Sequence, residues 1–263
     1  MKKIILILVI LASALACGRV DTAERSKSGT DAVNWLAFQK ILDTHLKEEK
    51  YTGKYGDFTH STFDYTAFKK DGTSAALIKE QSDVLLKSKV PTAKNEKLVF
   101  WINAYNYFTL VEVYNHFPTE SMMDIGWKNK VHNVGGGLYS LDEIEHKIIR
   151  PMGDARIHFA INCASVSCPS LKAKVYSAAT VDADLTAQVK NALRNPLHLK
   201  LVDGELYSTD LFNWFAKDFK KEPYGSVAAF IKKFAPQQLH SEVGEWIDYD
   251  WQLNNPQNID KLK

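Results

Sequence analysis

Three cysteines in 263 residues are too few for a disulfide-dense secreted miniprotein. Thirteen glycines and eight prolines exclude a collagenous or low-complexity chain. A hydrophobic fraction of 45% excludes an extended disordered one. Charge of one sign is missing too, since 33 basic residues face 31 acidic ones. A nucleic-acid binder would cluster Lys and Arg, so that class of partner is excluded. No HExxH, CxxC or Walker-type Lys-Ser/Thr is present, so no metal or cofactor is expected. The one long apolar stretch, Ile4 to Ala16, is shorter than the roughly 20 residues a helix needs to span a bilayer.

That run instead has the layout of an export signal. Lys2 and Lys3 make a positive start, Ile4 to Leu11 an apolar centre, and Ala14-Leu15-Ala16 a small-residue cleavage site before Cys17. Residues 1–16 are therefore expected to be a signal peptide. Cys17 is then either the lipidated first residue of a membrane-anchored lipoprotein or a residue freed by ordinary signal peptidase. A free exposed thiol outside the cytoplasm is a liability, which favours lipidation. Gly18 after Cys17, rather than Asp, favours the outer membrane in a two-membraned bacterium, with the domain facing the periplasm. Loss of residues 1–16 leaves 31 residues of each sign, so attachment would come from the lipid and not from a basic surface. Residues 18–30 are polar and read as a flexible tether.

Residues 31–255, roughly 225 in all, are long enough for one large domain with a substantial core, and 256–263 follow as a tail. Asp31 is placed to cap a helix reaching Leu46, with Trp35, Phe38, Ile41 and Leu42 on one face. Ala75 to Leu86 reads as a second helix. Lys94 to Phe117 is apolar on nearly every side, the mark of a helix buried all round. Asn103 and Asn106 share one face of it, and their amides must be answered by structural hydrogen bonds or by a site. Gly135-Gly136 and Asp203-Gly204 mark hairpins. Ser140 to Glu143 is a capping box opening a short helix that carries Glu145 and His146. Arg156 to Cys163, RIHFAINC, alternates like a strand and leads into a polar turn. Two amphipathic helices are expected near 209–219 and 226–234. The fold class read from this is α+β: a helix-rich first half around a central buried helix, then short antiparallel strands and hairpins.

Four stretches carry a family resemblance: FWINAYNYFTL (100–110), YSLDEIEHKIIR (139–150), RIHFAINCASVSCPSL (156–171) and YDWQLN (249–254). Together, in this order, they resemble the domain of unknown function 547 family, which occurs in bacterial secreted proteins and lipoproteins and in plants. The matching positions include Asn103, Asn106, Glu145, His146, Arg156, His158, Cys163, Cys168 and Asp250. The resemblance implies no established reaction.

Two chemistries are open at these positions. With Cys17 lipidated, Cys163 and Cys168 are an even pair in an oxidising compartment, and their spacing across a turn suits a disulfide. Asn103, Asn106, Glu145, His146, Arg156 and His158 would then form a polar pocket for a small polar ligand or a peptide end, with Arg156 as a carboxylate fork. Alternatively, Cys168 or Cys163 is the nucleophile of a hydrolase or transferase acting on peptide or amide bonds, with His146 or His158 as its base. In an unbroken strand His158 and Cys163 point to opposite faces, which would favour Cys168. The six tryptophans are scattered and most are expected in the core. His45, His60, His116, His132, His198 and His240 are read as surface or packing residues.

Overall fold

The central helix is where the sequence put it. In the computed structural model, which describes residues 33–238 and 243–259, α4 runs Lys94–His116. Every side chain from Leu98 to Leu110 is buried, because other elements cover it on all sides. Among the described residues no helix is long and apolar enough to cross a membrane. The leader, Cys17, the tether, the Asp31 cap, His240 and residues 260–263 lie outside the described residues.

Four elements precede α3 (Ser74–Lys87). The first helix, α1, spans Leu36–His45, shorter than expected at both ends, and buries Phe38, Ile41 and Leu42. Leu46 starts a strand instead: β1 (Leu46–Gly53) pairs antiparallel with β2 (Gly56–Phe63). The sequence reading had no strands there. The turn between them needs Gly56, whose φ is +110°. Helix α2 (Tyr65–Lys70) follows, capped by Asp64.

Beyond α4, β3 (His132–Val134) and β4 (Gly137–Tyr139) form the small hairpin that turns at Gly135-Gly136. The Ser140 hydroxyl accepts from Glu143 N–H at 3.1 Å, so the capping box is real. It opens α5 (Leu141–Glu143), which continues as a π-helical turn over Ile144–Ile149. Wider π-turns recur at functional sites, and this one carries Glu145 and His146. Helix α6 spans Val181–Arg194. Strands β5 (Leu199–Val202) and β6 (Glu205–Thr209) pair antiparallel across Asp203-Gly204, both at positive φ. The 209–219 helix is broken at Phe215 into α7 (Leu211–Trp214) and α8 (Ala216–Phe219), and α9 spans Val227–Phe234. Strand β7 (Val243–Ile247) joins β6 parallel, not antiparallel. Short helix α10 is Pro256–Ile259. The described residues form one compact unit, and its class is α+β.

One expected strand is absent. Residues Ala155–Phe159 are a 3₁₀ helix, capped by Asp154, whose side chain accepts from Arg156 N–H. The alternation over RIHFAINC required one face in the core and one outside. Here Ile157, His158, Phe159, Ala160 and Ile161 are all buried, so no face was left to solvent. Strand geometry therefore does not set His158 and Cys163 on opposite faces.

Candidate functional site

The site is assembled by two asparagines. From α4, Asn106 Nδ2 donates to the Ala160 carbonyl at 2.9 Å and its Oδ1 accepts from Asn162 N–H at 2.8 Å. Asn162 then closes the next loop on itself. Its Oδ1 accepts from Ala164 N–H and its Nδ2 donates to the Pro169 carbonyl, each at 2.8 Å. Ala164 takes φ +63°, a conformation costly for a residue with a Cβ. These contacts draw Cys163 and Cys168 together at the two ends of the loop.

The C-terminal segment straps the loop from outside. Val166 N–H donates to the Gln252 carbonyl at 2.8 Å, Asn254 N–H to the Ala164 carbonyl at 2.8 Å, and Asp250 N–H to Ser167 Oγ at 2.9 Å. The YDWQLN stretch is thus paired with the cysteine loop more than eighty residues before it. It delivers the Tyr249 hydroxyl to 3.2 Å from Cys163 Sγ.

Both cysteines are free thiols, with Sγ atoms 2.8 Å apart. The expected disulfide, whose bond is about 2.05 Å, is not formed in this structure. The thiols are unequal. Cys163 is half-buried and Cys168 is buried. Burial disfavours the Cys163 thiolate, but hydrogen bonds from Cys168, Ser165 and Tyr249 outweigh it and bring the thiol down to about 6. For Cys168, burial and then the neighbouring Cys163 push the thiol up.

Both thiols line a cavity of about 300 Å³. Glu145, His146 and His158 share its wall with them. His158 Nε2 donates to Asp218 Oδ2 at 3.0 Å. A carboxylate only accepts, so this bond fixes the tautomer and leaves the Nδ1 lone pair unused. Burial holds the His158 ring below its ordinary pKa, against the pull of Asp218, so it is neutral at pH 7. Its face lies on Phe215, with centroids 4.1 Å apart. Burial opposes the charge of Asp218, but hydrogen bonds from His158, Arg150 and Lys221 outweigh it and hold the carboxyl below the usual range.

His146 is the complementary case. Arg150 Nη1 donates to its Nδ1 at 3.1 Å, and a guanidinium only donates. The neutral ring therefore carries its proton on Nε2, which suits a donor and not a base. Burial pushes Glu145 above the usual carboxyl range, partly offset by His146 and by the Tyr105 hydroxyl donating at 3.0 Å. Among the described residues, no three His, Cys, Asp or Glu are grouped to hold a metal ion.

The other residues expected in the pocket are elsewhere. Asn103 Nδ2 donates to the Tyr176 carbonyl and its Oδ1 accepts from Tyr176 N–H, each at 2.9 Å. With Asn106 likewise spent on backbone, neither amide lines the cavity. Arg156 ties the 3₁₀ segment to α6, bonding Asp154 at 2.7 Å and Asp182 at 2.8 Å. It faces a separate groove. The cavity walls are also less polar than expected. Trp127, Trp214 and Trp251 line it, Trp127 while also packing against the core. Composition gave no sign of this, although Tyr249 and Trp251 lie within the recognised YDWQLN stretch. Asp218 had no sequence signal at all, because its role follows from packing α8 against the 3₁₀ segment.

No curated protein and no solved structure matches the chain. Residues 90–191 match the family model described as "Protein of unknown function, DUF547", the family that the four motifs resemble.

Proposed function

We propose that this protein is a thiol-dependent hydrolase or transferase acting on peptide or amide bonds, with Cys163 as nucleophile. One observation carries the reading: a free Cys163 thiol, with its thiolate supported by Tyr249 and Cys168, shares a cavity with His158, whose ring is held from behind by Asp218. The roles follow from the tautomers. Cys163, lowered to about 6, is mostly thiolate at neutral pH. Beside it His158 takes up a solvent proton at Nδ1 as substrate binds, and Asp218 stabilises the imidazolium. The thiolate attacks the carbonyl, the C–N bond breaks, and His158 gives that proton to the leaving amine. Water or a second amine then releases the acyl group from sulfur. His146 Nε2–H is available to the developing oxyanion. The step requires His158 to come within hydrogen-bond reach of Cys163, as catalytic pairs often do only with substrate bound.

A second reading is a binding module that holds a small ligand or peptide without chemistry. It is favoured by one fact: among the described residues neither imidazole hydrogen-bonds either sulfur. A burst assay separates the two. With p-nitrophenyl hexanoate, wild-type protein is expected to release about one p-nitrophenolate per chain in a fast phase. An acyl mass should then sit on the Cys163 peptide, and Cys163→Ala should lose both. Absence of the acyl adduct from wild type would overturn the enzyme reading.

We also propose that the chain is exported and anchored to a bacterial membrane by lipidation of Cys17, on the support of the leader's layout. Labelled palmitate should enter the wild-type protein and be lost in Cys17→Ser. Label retained by that variant would sink the anchor.

A further inference from the structure

The walls of the cavity point to what fills it. Trp214 and Trp251 stack with centroids 5.6 Å apart and planes 19° from parallel, and Tyr249 tilts against both at 4.9 and 4.4 Å. Trp214 is 44% exposed and Met123 is 66% exposed, although both belong to the cavity lining. Large apolar side chains held at the mouth of a cavity mark a binding surface. Ring faces and a thioether offer contact area to another apolar group and almost no hydrogen bonds.

The charge of the lining decides what is refused. It contains no Lys or Arg, and its one carboxyl is the buried Glu145. Arg150, which is not part of the lining, lies over the Phe215 ring at 4.8 Å, with Nε held by Asp218 and Nη1 by His146. A carboxylate entering the cavity would find no counter-ion and would meet Glu145. We infer that the cavity takes a substrate whose side chain beside the reacting carbonyl is aromatic or large aliphatic, and that it excludes acidic ones. This rests on the cavity being the acyl-transfer site and names its substrate class.

Three peptidyl chloromethyl ketones, alike except for Phe, Leu or Glu beside the ketone, test it. With each, a thioether forms at Cys163 and chloride leaves. Rates are divided by those for glutathione to remove intrinsic reactivity. The Phe and Leu probes are expected to label Cys163 at least about tenfold faster than the Glu probe. In Trp214→Ala and Trp251→Ala that preference, normalised to each variant's own iodoacetamide rate, should fall toward one. A wild-type preference near one, or one unchanged in both variants, overturns the inference. The outcome is separable from the acyl-transfer reading. A preserved preference with no p-nitrophenyl burst means that the cavity selects apolar groups without catalysing transfer. A burst with no preference means the reverse.

Discussion

Asp218→Asn should leave the domain folded and slow acylation by about 10³- to 10⁴-fold, the cost of a wrong imidazole tautomer in a Ser-His-Asp arrangement. The carboxylate of Asp218 can only accept, and it holds the proton of His158 on Nε2. An amide can donate there instead. The neutral ring then carries its proton on Nδ1, the atom that has to take up the proton destined for the leaving amine. Arg150 Nε donates to the same Oδ2 at 2.7 Å, so an amide that donates to His158 gives up that bond. The fold should survive because Arg150 is partly exposed and can turn to solvent, while the amide oxygen still accepts from Lys221 Nζ. Asp218→Ala is the blunter change. It strands the buried His158 N–H and the Arg150 charge, at about 3–5 kcal/mol. The pre-steady-state burst rate and a thermal melt of the Asn variant check this. An unchanged burst rate would remove the pair from the mechanism.

The second large effect is structural. Asn106→Ala should cost about 2–6 kcal/mol, because it leaves the Ala160 carbonyl and the Asn162 N–H buried without partners, each at about 1–3 kcal/mol. Helix propensity does not contribute to the loss, since Ala is the better helix former. The damage falls on the segment entering the cysteine loop, so Cys163 should also lose its reactivity advantage over Cys168. Asn103→Ala is the control. It frees the Tyr176 backbone, so it should lower stability without changing the thiol. Denaturant melts with paired alkylation rates read both. An Asn106→Ala melt within about 0.5 kcal/mol of wild type would show the clamp to be dispensable.

What was legible in the sequence was what local chemistry decides. Helix α4 announces itself because an all-round apolar run of helical length has only a buried solution. The Gly135-Gly136 and Asp203-Gly204 turns follow from backbone freedom, and the Ser140 cap from an orphan N–H. The failures come where tertiary burial overrides periodicity. RIHFAINC has the alternation of a strand, yet Gly153 at φ +84° and the Asp154 cap start a tight helix, and the core accepts both faces. The β1–β2 hairpin was missed although Gly53 and Gly56 frame its turn, since its outer strand is largely exposed. For the site, the motifs brought forward Glu145, His146, His158 and both cysteines. They could not say that Asn103, Asn106 and Arg156 are consumed in scaffolding, or that Trp214, Trp251 and Asp218 complete the cavity. Those facts depend on where α7, α8 and the C-terminal strap dock.

The central claim is that Cys163 is an activated thiol, and the pH dependence of its alkylation tests that most directly. Iodoacetamide reacts with the thiolate, so the rate follows the ionised fraction. With the Cys163 thiol lowered to about 6, labelling located by peptide mass spectrometry should rise through pH 6 and level off by about pH 8. Cys168, held protonated by burial and by its neighbour, should remain largely unlabelled over that range. A Cys163 rate still climbing beyond pH 8 like an ordinary thiol, or equal labelling of the two cysteines, would contradict the account.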